Sequence, residues 1–226
     1  MIEVIPVLDI RGGVAVSGRS GNREAYAPLQ SVFSDTPDPV EIAGNLPFRR
    51  LYVADLDGIV EGRPDLKTLT LLTALKRTMI DLGVRGSEDL DIFGDLDCDI
   101  VLGTETVKDR EVIVEALERY GARVIVSIDI KDGQVLSGSL PSEPGAAYDS
   151  LAEAGVKRFI LLNISAVGTM KPDLTFIKDL NKTGEILLGG GITERDLGML
   201  DVLGVDGALI GTALHKGLLD VEEWKS

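Results

Sequence analysis

The sequence predicts an α/β fold: a closed (β/α)8 barrel made of two duplicated half-barrels, in one domain over residues 1–226, with halves at about 1–121 and 122–226. Three observations lead there. Val7-Leu8-Asp9-Ile10-Arg11-Gly12-Gly13, with its return segment to Gly18, recurs 120 positions later as Ser127-Ile128-Asp129-Ile130-Lys131-Asp132-Gly133 through Gly138. Each copy is an apolar run, a carboxylate, a basic residue two positions on, a glycine turn and a short strand ending in Ser-Gly. Arg63-Pro64-Asp65-Leu66 recurs as Lys171-Pro172-Asp173-Leu174, and Leu102-Gly103-Thr104 as Ile210-Gly211-Thr212, both at an offset of 108. Finally, apolar β-branched runs alternate with helix signals eight times, and eight right-handed βα units in series close into a barrel rather than leave open edges.

Taken in order, Ile2–Ile10 reads as a buried strand, in which Pro6 is tolerable only where its missing N–H is unpaired. Residues 19–37 are polar and show neither period. The fall in offset from 120 to 108 assigns 12 additional residues to this first βα loop, on the side where a barrel carries its active site. Asp38 and Pro39 open a helix to Asn45 as N-cap and first helical residue. Leu51–Leu56 is the second strand, and Asp65 caps a helix to Arg77. Met79–Gly83 is the third strand, Ser87 caps a short helix, and Cys98–Leu102 is the fourth strand. Helix Asp109–Tyr120 ends on Gly121. The second half replays this pattern with strand 123–130, helix 146–154, strand 158–163, helix 173–182, strand 185–188, helix 193–201, strand 206–210 and a short helix from Ala213.

Composition narrows the function. The chain is 44% hydrophobic and only 4% aromatic, so its core is aliphatic, as parallel strands favour. A formal charge of −14 argues against nucleic acid and anionic membrane as partners. It leaves a small anion possible, because backbone N–H groups at helix N-termini hold phosphate without help from net charge. A single cysteine, Cys98, excludes an intrachain disulfide framework and reads as a small buried hydrophobe. No leader pattern and no apolar run of about 18 residues is present, which predicts a cytoplasmic protein.

Asp9 and Asp129 end the first and fifth strands and so face each other across the barrel mouth, as a reaction needing one acid and one base requires. The plainer reading makes each a cap on its following turn; occurrence of both at the same strand end favours chemistry. Gly189-Gly190-Gly191 after strand seven and Gly211-Thr212 after strand eight form the place where such barrels hold phosphate, although a tight turn alone would also call for glycine. Asp55 and Asp57, with no histidine near, are weak grounds for a metal. His215 reads as a surface residue near a helix end and Trp224 as an anchor on the barrel floor.

With Asp9, Asp129, Asp55-Leu56-Asp57-Gly58, Gly189-Gly190-Gly191-Ile192 and Ile210-Gly211-Thr212 together, the chain resembles the HisA/HisF family of histidine biosynthesis, duplicated half-barrels comprising an isomerase and a cyclase. Leu51-Tyr52-Val53-Ala54-Asp55 looks closer to the isomerase branch. The resemblance implies a TIM barrel without cofactor or metal, acting on a phosphorylated small molecule by an Amadori-type aldose-to-ketose rearrangement. In that reaction one group protonates the ring oxygen while another removes the C2 proton. It implies Asp9 as base, Asp129 as acid or amine-orienting group, and Thr169 or water as a stand-in acid. Phosphate contacts fall at Gly189, Gly190, Gly191, Gly211, Thr212, Gly103 and Thr104, and substrate contacts at Arg19, Asp55 and Arg85. Two departures stand out. The family's Asp-Gly-Thr after strand six is Val167-Gly168-Thr169 here, and its three glycines after strand three are Asp81-Leu82-Gly83. A carboxylate at Asp81 repels phosphate, so the site takes one phosphate, or a second held differently by Arg85. Two other readings stay open: a cyclase or lyase on another phosphorylated precursor, as in archaeal-type cofactor synthesis, and a non-catalytic phosphometabolite-binding barrel. No partner subunit is named by the sequence.

Overall fold

A computed structural model describes residues 2–18, 26–177 and 180–224. The first half runs β1 (Glu3–Arg11), β2 (Val14–Ser17), β3 (Ala27–Pro28), α1 (Pro39–Asn45), β4 (Arg50–Asp55), α2 (Leu56–Glu61), α3 (Leu66–Leu75), β5 (Arg77–Asp81), a 3-10 helix at Ser87–Gly94, β6 (Asp99–Gly103) and α4 (Arg110–Tyr120). The second half follows as β7 (Val124–Lys131), β8 (Gln134–Val135), α5 (Pro144–Glu153), β9 (Arg158–Asn163), β10 (Glu185–Gly189), α6 (Glu194–Val202), β11 (Gly207–Ile210), α7 (Thr212–His215) and α8 (Val221–Trp224). Eight parallel strands pair in the order β1-β4-β5-β6-β7-β9-β10-β11, and β11 pairs back to β1, closing the (β/α)8 barrel the sequence predicts. Pro6 sits where β1 passes from pairing with β11 (Glu3 to Pro6) to pairing with β4 (Val7 to Ile10), the point at which a missing donor disturbs the ladder least.

Two aliphatic layers result. Inward-facing residues one per strand, among them Ile5, Met79, Val101, Ile125, Ile160, Leu187 and Leu209, fill the barrel; the alternate residues pack under the helices in a second, larger cluster. Cys98 is buried in the outer layer, where loss of hydration pushes its thiol up to about 11, so it behaves as a small hydrophobe. At the N-terminal ends of the strands, charged side chains replace the aliphatic layer. Arg50 Nη1 lies 2.6 Å from Glu3 and 3.2 Å from Glu185, while Arg158 contacts Glu185 at 2.5 Å and Asp99 at 2.9 Å.

The duplicated return strands are real: β2 pairs antiparallel with β1, and β8 with β7. The additional loop residues of the first half extend β2 through β3 on the C-terminal side of the barrel. One expected helix fails. Among the described residues, the segment 173–182 carries only a 3-10 turn at Thr175–Ile177. Its repeat partner shows why. Asp65 caps α3 by accepting from the Thr68 N–H three residues on, whereas Asp173 accepts from the Thr175 N–H and hydroxyl only two residues on, a local turn that competes with helix entry. The short helix at Ser87 is 3-10, and its N-terminal N–H groups of Arg85 and Gly86 donate to Asp89 rather than to Ser87.

Candidate active site

The C-terminal ends of the strands enclose a cavity of ≈ 410 Å³. Asp9 from β1 and Asp129 from β7 both line it, the first and fifth strands of the barrel in circular order, and so lie on opposite walls. Asp129 is 4% exposed. Its Oδ1 accepts from the Ser127 hydroxyl at 2.8 Å and its Oδ2 from the Glu105 N–H at 3.0 Å, while its own N–H donates to Thr104 Oγ1 at 2.9 Å. Burial, reinforced by the neighbouring Asp81 carboxylate, pushes its pKa up to about 7 against the pull of those two donors. Asp9 is half-buried at the end of its strand. A Cβ added to Gly18 would stand 2.8 Å from Asp9 Oδ2, 3.1 Å from the Tyr26 hydroxyl and 3.2 Å from a Val167 methyl, so these three side chains converge where β2 ends. Val167 therefore presents hydrocarbon beside Asp9.

Gly189, Gly190, Gly191, Gly211 and Thr212 border the same cavity. Part of the glycine requirement is architectural. Gly190 and Gly191 have φ of +107° and +71°, and a Cβ on either would lie 2.3 Å from the Asn163 carbonyl oxygen or 2.6 Å from that of Ala166. Gly211, by contrast, meets only Val7 carbons at 3.5 and 3.9 Å among the described residues, leaving a small cradle at the start of α7.

Other predicted residues fall elsewhere. Asp55 is fully buried and caps α2, accepting from the N–H groups of Asp57, Gly58 and Asp65, so it organises the loop rather than facing a substrate. Arg85 donates to the carbonyl oxygens of Gly58, Ile59 and Gly83 and stays out of the cavity lining. Thr169 donates its hydroxyl to the Ala166 carbonyl at 2.7 Å within its own turn; Val167, Gly168 and Met170 line the cavity instead. Gly103 lines the cavity while the Thr104 hydroxyl is taken by Asp129. Arg19 lies outside the described residues.

Sequence reasoning missed two lining residues. His215 is 3% exposed, not superficial: Nε2 donates to the Val7 carbonyl at 2.9 Å, which leaves Nδ1 to accept from the Ser31 hydroxyl at 3.0 Å, and burial lowers its pKa. A helix of one turn has no readable period, so no pattern marked its inner face. Tyr52 is buried on β4, and its hydroxyl is pushed well above its ordinary pKa by burial and then by Asp81, Asp129, Asp9 and Glu105. It is a neutral phenol inside a ring of carboxylates. Alternation along Leu51-Tyr52-Val53 held that signal. Asp81, the carboxylate the sequence marked as out of place, is 8% exposed and lines the cavity beside them. Trp224 is displaced from the floor as well, donating to Glu194 at the start of α6, at the cavity end of the barrel. Among the described residues no group of three or more His, Cys, Asp or Glu is placed to hold a metal, and no helix is long and apolar enough to cross a membrane.

Comparison with known proteins places the chain among its relatives. The sequence profile of the histidine biosynthesis protein family matches residues 3–220. An uncharacterised protein of Methanocaldococcus jannaschii is 35% identical over 98% of this chain and 97% of its own length. Two bacterial relatives are named as isomerases of a 1-(5-phosphoribosyl)imidazole-4-carboxamide that carries a second, 5-phosphoribosylamino group through a methylideneamino link. That of Caldanaerobacter subterraneus subsp. tengcongensis is 32% identical over 97% of this chain and 95% of its own length, and that of Moorella thermoacetica 33% identical over 97% and 96%. From the duplicated barrel, the paired aspartates and a match spanning nearly every residue, the chain belongs to the histidine biosynthesis protein family.

Proposed function

We propose that this barrel is an isomerase of the kind named in its relatives, converting a phosphoribosyl-derived aldosylamine to the corresponding ketose by aspartate acid–base catalysis. The substrate phosphate rests against Gly189, Gly190, Gly191, Gly211 and Thr212. Asp129 protonates the ring oxygen as the ring opens; Asp9 takes the C2 proton, giving an enolamine. Protonated Asp9 then delivers a proton to C1 while the enol O2–H proton goes to ionised Asp129, yielding the ketose and restoring both groups. No redox change occurs and the atoms balance. The observation that supports this division most is the burial of Asp129 beside the Asp81 carboxylate, which raises its pKa to about 7 and so favours its protonated form more than an exposed aspartate's. An aspartate at its ordinary 3.8 would hold no proton to give. Tyr52, neutral between the carboxylates, supplies a fixed hydroxyl on the barrel wall.

Asp9→Asn and Asp129→Asn test the reading with purified protein. Each keeps shape but cannot exchange a proton, and each is expected to lower turnover by about 10²–10⁴-fold while leaving phosphate affinity nearly unchanged. Turnover that persists in both variants refutes the assignment.

A further inference from the structure

The two halves are copies, yet their anion cradles have diverged, and the difference is visible atom by atom. At the offset of 108, Gly189 corresponds to Asp81, Gly191 to Gly83, Gly211 to Gly103 and Ala213 to Glu105. In the second half the cradle at Gly211 is open, with only Val7 carbons within 4 Å of a Cβ placed there among the described residues. In the first half a Cβ at Gly103 would lie 2.9 Å from Asp129 Oδ2 and 3.3 Å from Asp81 Oδ2. Two carboxylates thus fill the space where the duplicated site offers room. The backbone donors have followed: the Gly83 N–H donates to Asp81 Oδ1 at 2.9 Å, and the Glu105 N–H to Asp129 Oδ2. Nor is the loop free to retreat, since a Cβ on Gly83 would stand 2.4 Å from Ile59 Cα, and the nearby Arg85 guanidinium is held by three carbonyl oxygens.

We propose that Asp81 is the specificity-determining residue of this site. It restricts the substrate to an aldosylamine with a single phosphate, held on the Gly189–Gly191 and Gly211–Thr212 side, whose far end is uncharged or cationic. The chemistry rests on the isomerase reading above; the exclusion of a second phosphate rests on the geometry of the two cradles. The substrate named for the bacterial relatives carries a phosphoribosyl group at each end, and its second phosphate would face Asp81. At a separation of about 6 Å and an effective dielectric near 20, one carboxylate weakens binding of a negative charge on the order of 100-fold.

Two measurements test this on the intact chain. The first is the stoichiometry of inorganic phosphate, followed by calorimetric titration of wild type, Asp81→Gly, which copies Gly189, and Asp81→Asn, which keeps the shape and the acceptor for the Gly83 N–H should the glycine variant not fold. Wild type is expected to bind one phosphate ion per chain and Asp81→Gly two; Asp81→Asn, which removes the charge but leaves the bulk in the cradle, is expected to bind a second ion at least tenfold more weakly than the first. Zero or two ions on the wild type, or no second ion on a folded variant, overturns the proposal. The second is kcat/KM for the relatives' bis-phosphoribosyl compound against the same compound lacking the phosphate on its imidazole-bound ribose. Wild type is expected to prefer the single phosphate, and Asp81→Asn to shift that ratio at least tenfold toward the double. A wild-type preference for two phosphates overturns the proposal while sustaining the isomerase reading. Turnover of neither compound, with stoichiometries of one and two, refutes the isomerase reading and leaves the role of Asp81 standing.

Discussion

Replacing Asp129 by asparagine should make the protein more stable above neutral pH while disabling it. In the unfolded chain this carboxyl ionises near 3.8, but in the fold it does so only near 7. Between those values the native state binds the extra proton, so stability falls as pH rises; the contribution is complete below about pH 4 and gone above about pH 7. The gap corresponds to about 4 kcal/mol carried as a penalty by the folded wild type at pH 8. Asparagine removes the charge and its repulsion by Asp81, and it fits the same partners: Oδ1 accepts the Glu105 N–H, and the amide NH2 donates to Ser127 Oγ. Losing two bonds to a charged acceptor returns about 1–3 kcal/mol of that gain. The net expectation at pH 8 is a stabilisation of about 1–3 kcal/mol, or roughly 3–10 °C in melting temperature for a chain of this size. Near pH 4 the two proteins should melt together or the wild type slightly higher. Thermal unfolding followed by circular dichroism across pH 4–8 reads this directly. A variant less stable than wild type by the same amount at every pH would show that Asp129 is an ionised turn cap, and the acid assignment would fall with it.

Three further outcomes follow from particular contacts. Gly211→Asp has room, with only Val7 carbons nearby among the described residues, although its φ of −100° and ψ of −86° lie at the edge of what a side chain allows; it should weaken phosphate affinity by about 10–100-fold in a chain that still folds. Gly190→Asp should instead unfold the loop, because its Cβ strikes the Asn163 carbonyl. At the opposite end of the barrel, Arg50→Met leaves Glu3 and Glu185 facing each other without their shared cation, and should lower stability by about 2–3 kcal/mol in chemical denaturation. A change below about 0.5 kcal/mol would mean the floor network is solvent-screened.

The barrel was legible because duplication leaves a constant offset, and because each strand is a short β-branched run closed by a turn signal. The placing of Asp9 and Asp129 at the cavity was legible for the same reason: they occupy one position of the repeat. What the repeat could not convey is how copies diverge. Asp65 and Asp173 have the same neighbours, Pro and Leu, yet one caps a helix and the other closes an Asx-type turn, since the choice depends on whether the following backbone turns helical. Asp55, Arg85 and Thr169 are polar residues near strand ends, and only coordinates show that their polar atoms are taken by backbone N–H and carbonyl groups. Asp81 was readable as a charge out of place, but not its approach to Asp129, which belongs to a strand 48 positions away.

The most direct test of the account is isotopic. The purified protein is incubated in D2O with a phosphoribosyl aldosylamine carrying one phosphate, and the C2 hydrogen of the substrate and C1 of the ketose are followed by NMR. Wild type should release the C2 hydrogen and place one deuterium at C1, Asp9→Asn should show no exchange, and Asp129→Asn should retain some. Equal exchange in both variants, or undiminished exchange and turnover in Asp9→Asn, would contradict the assignment of Asp9 as base and Asp129 as acid.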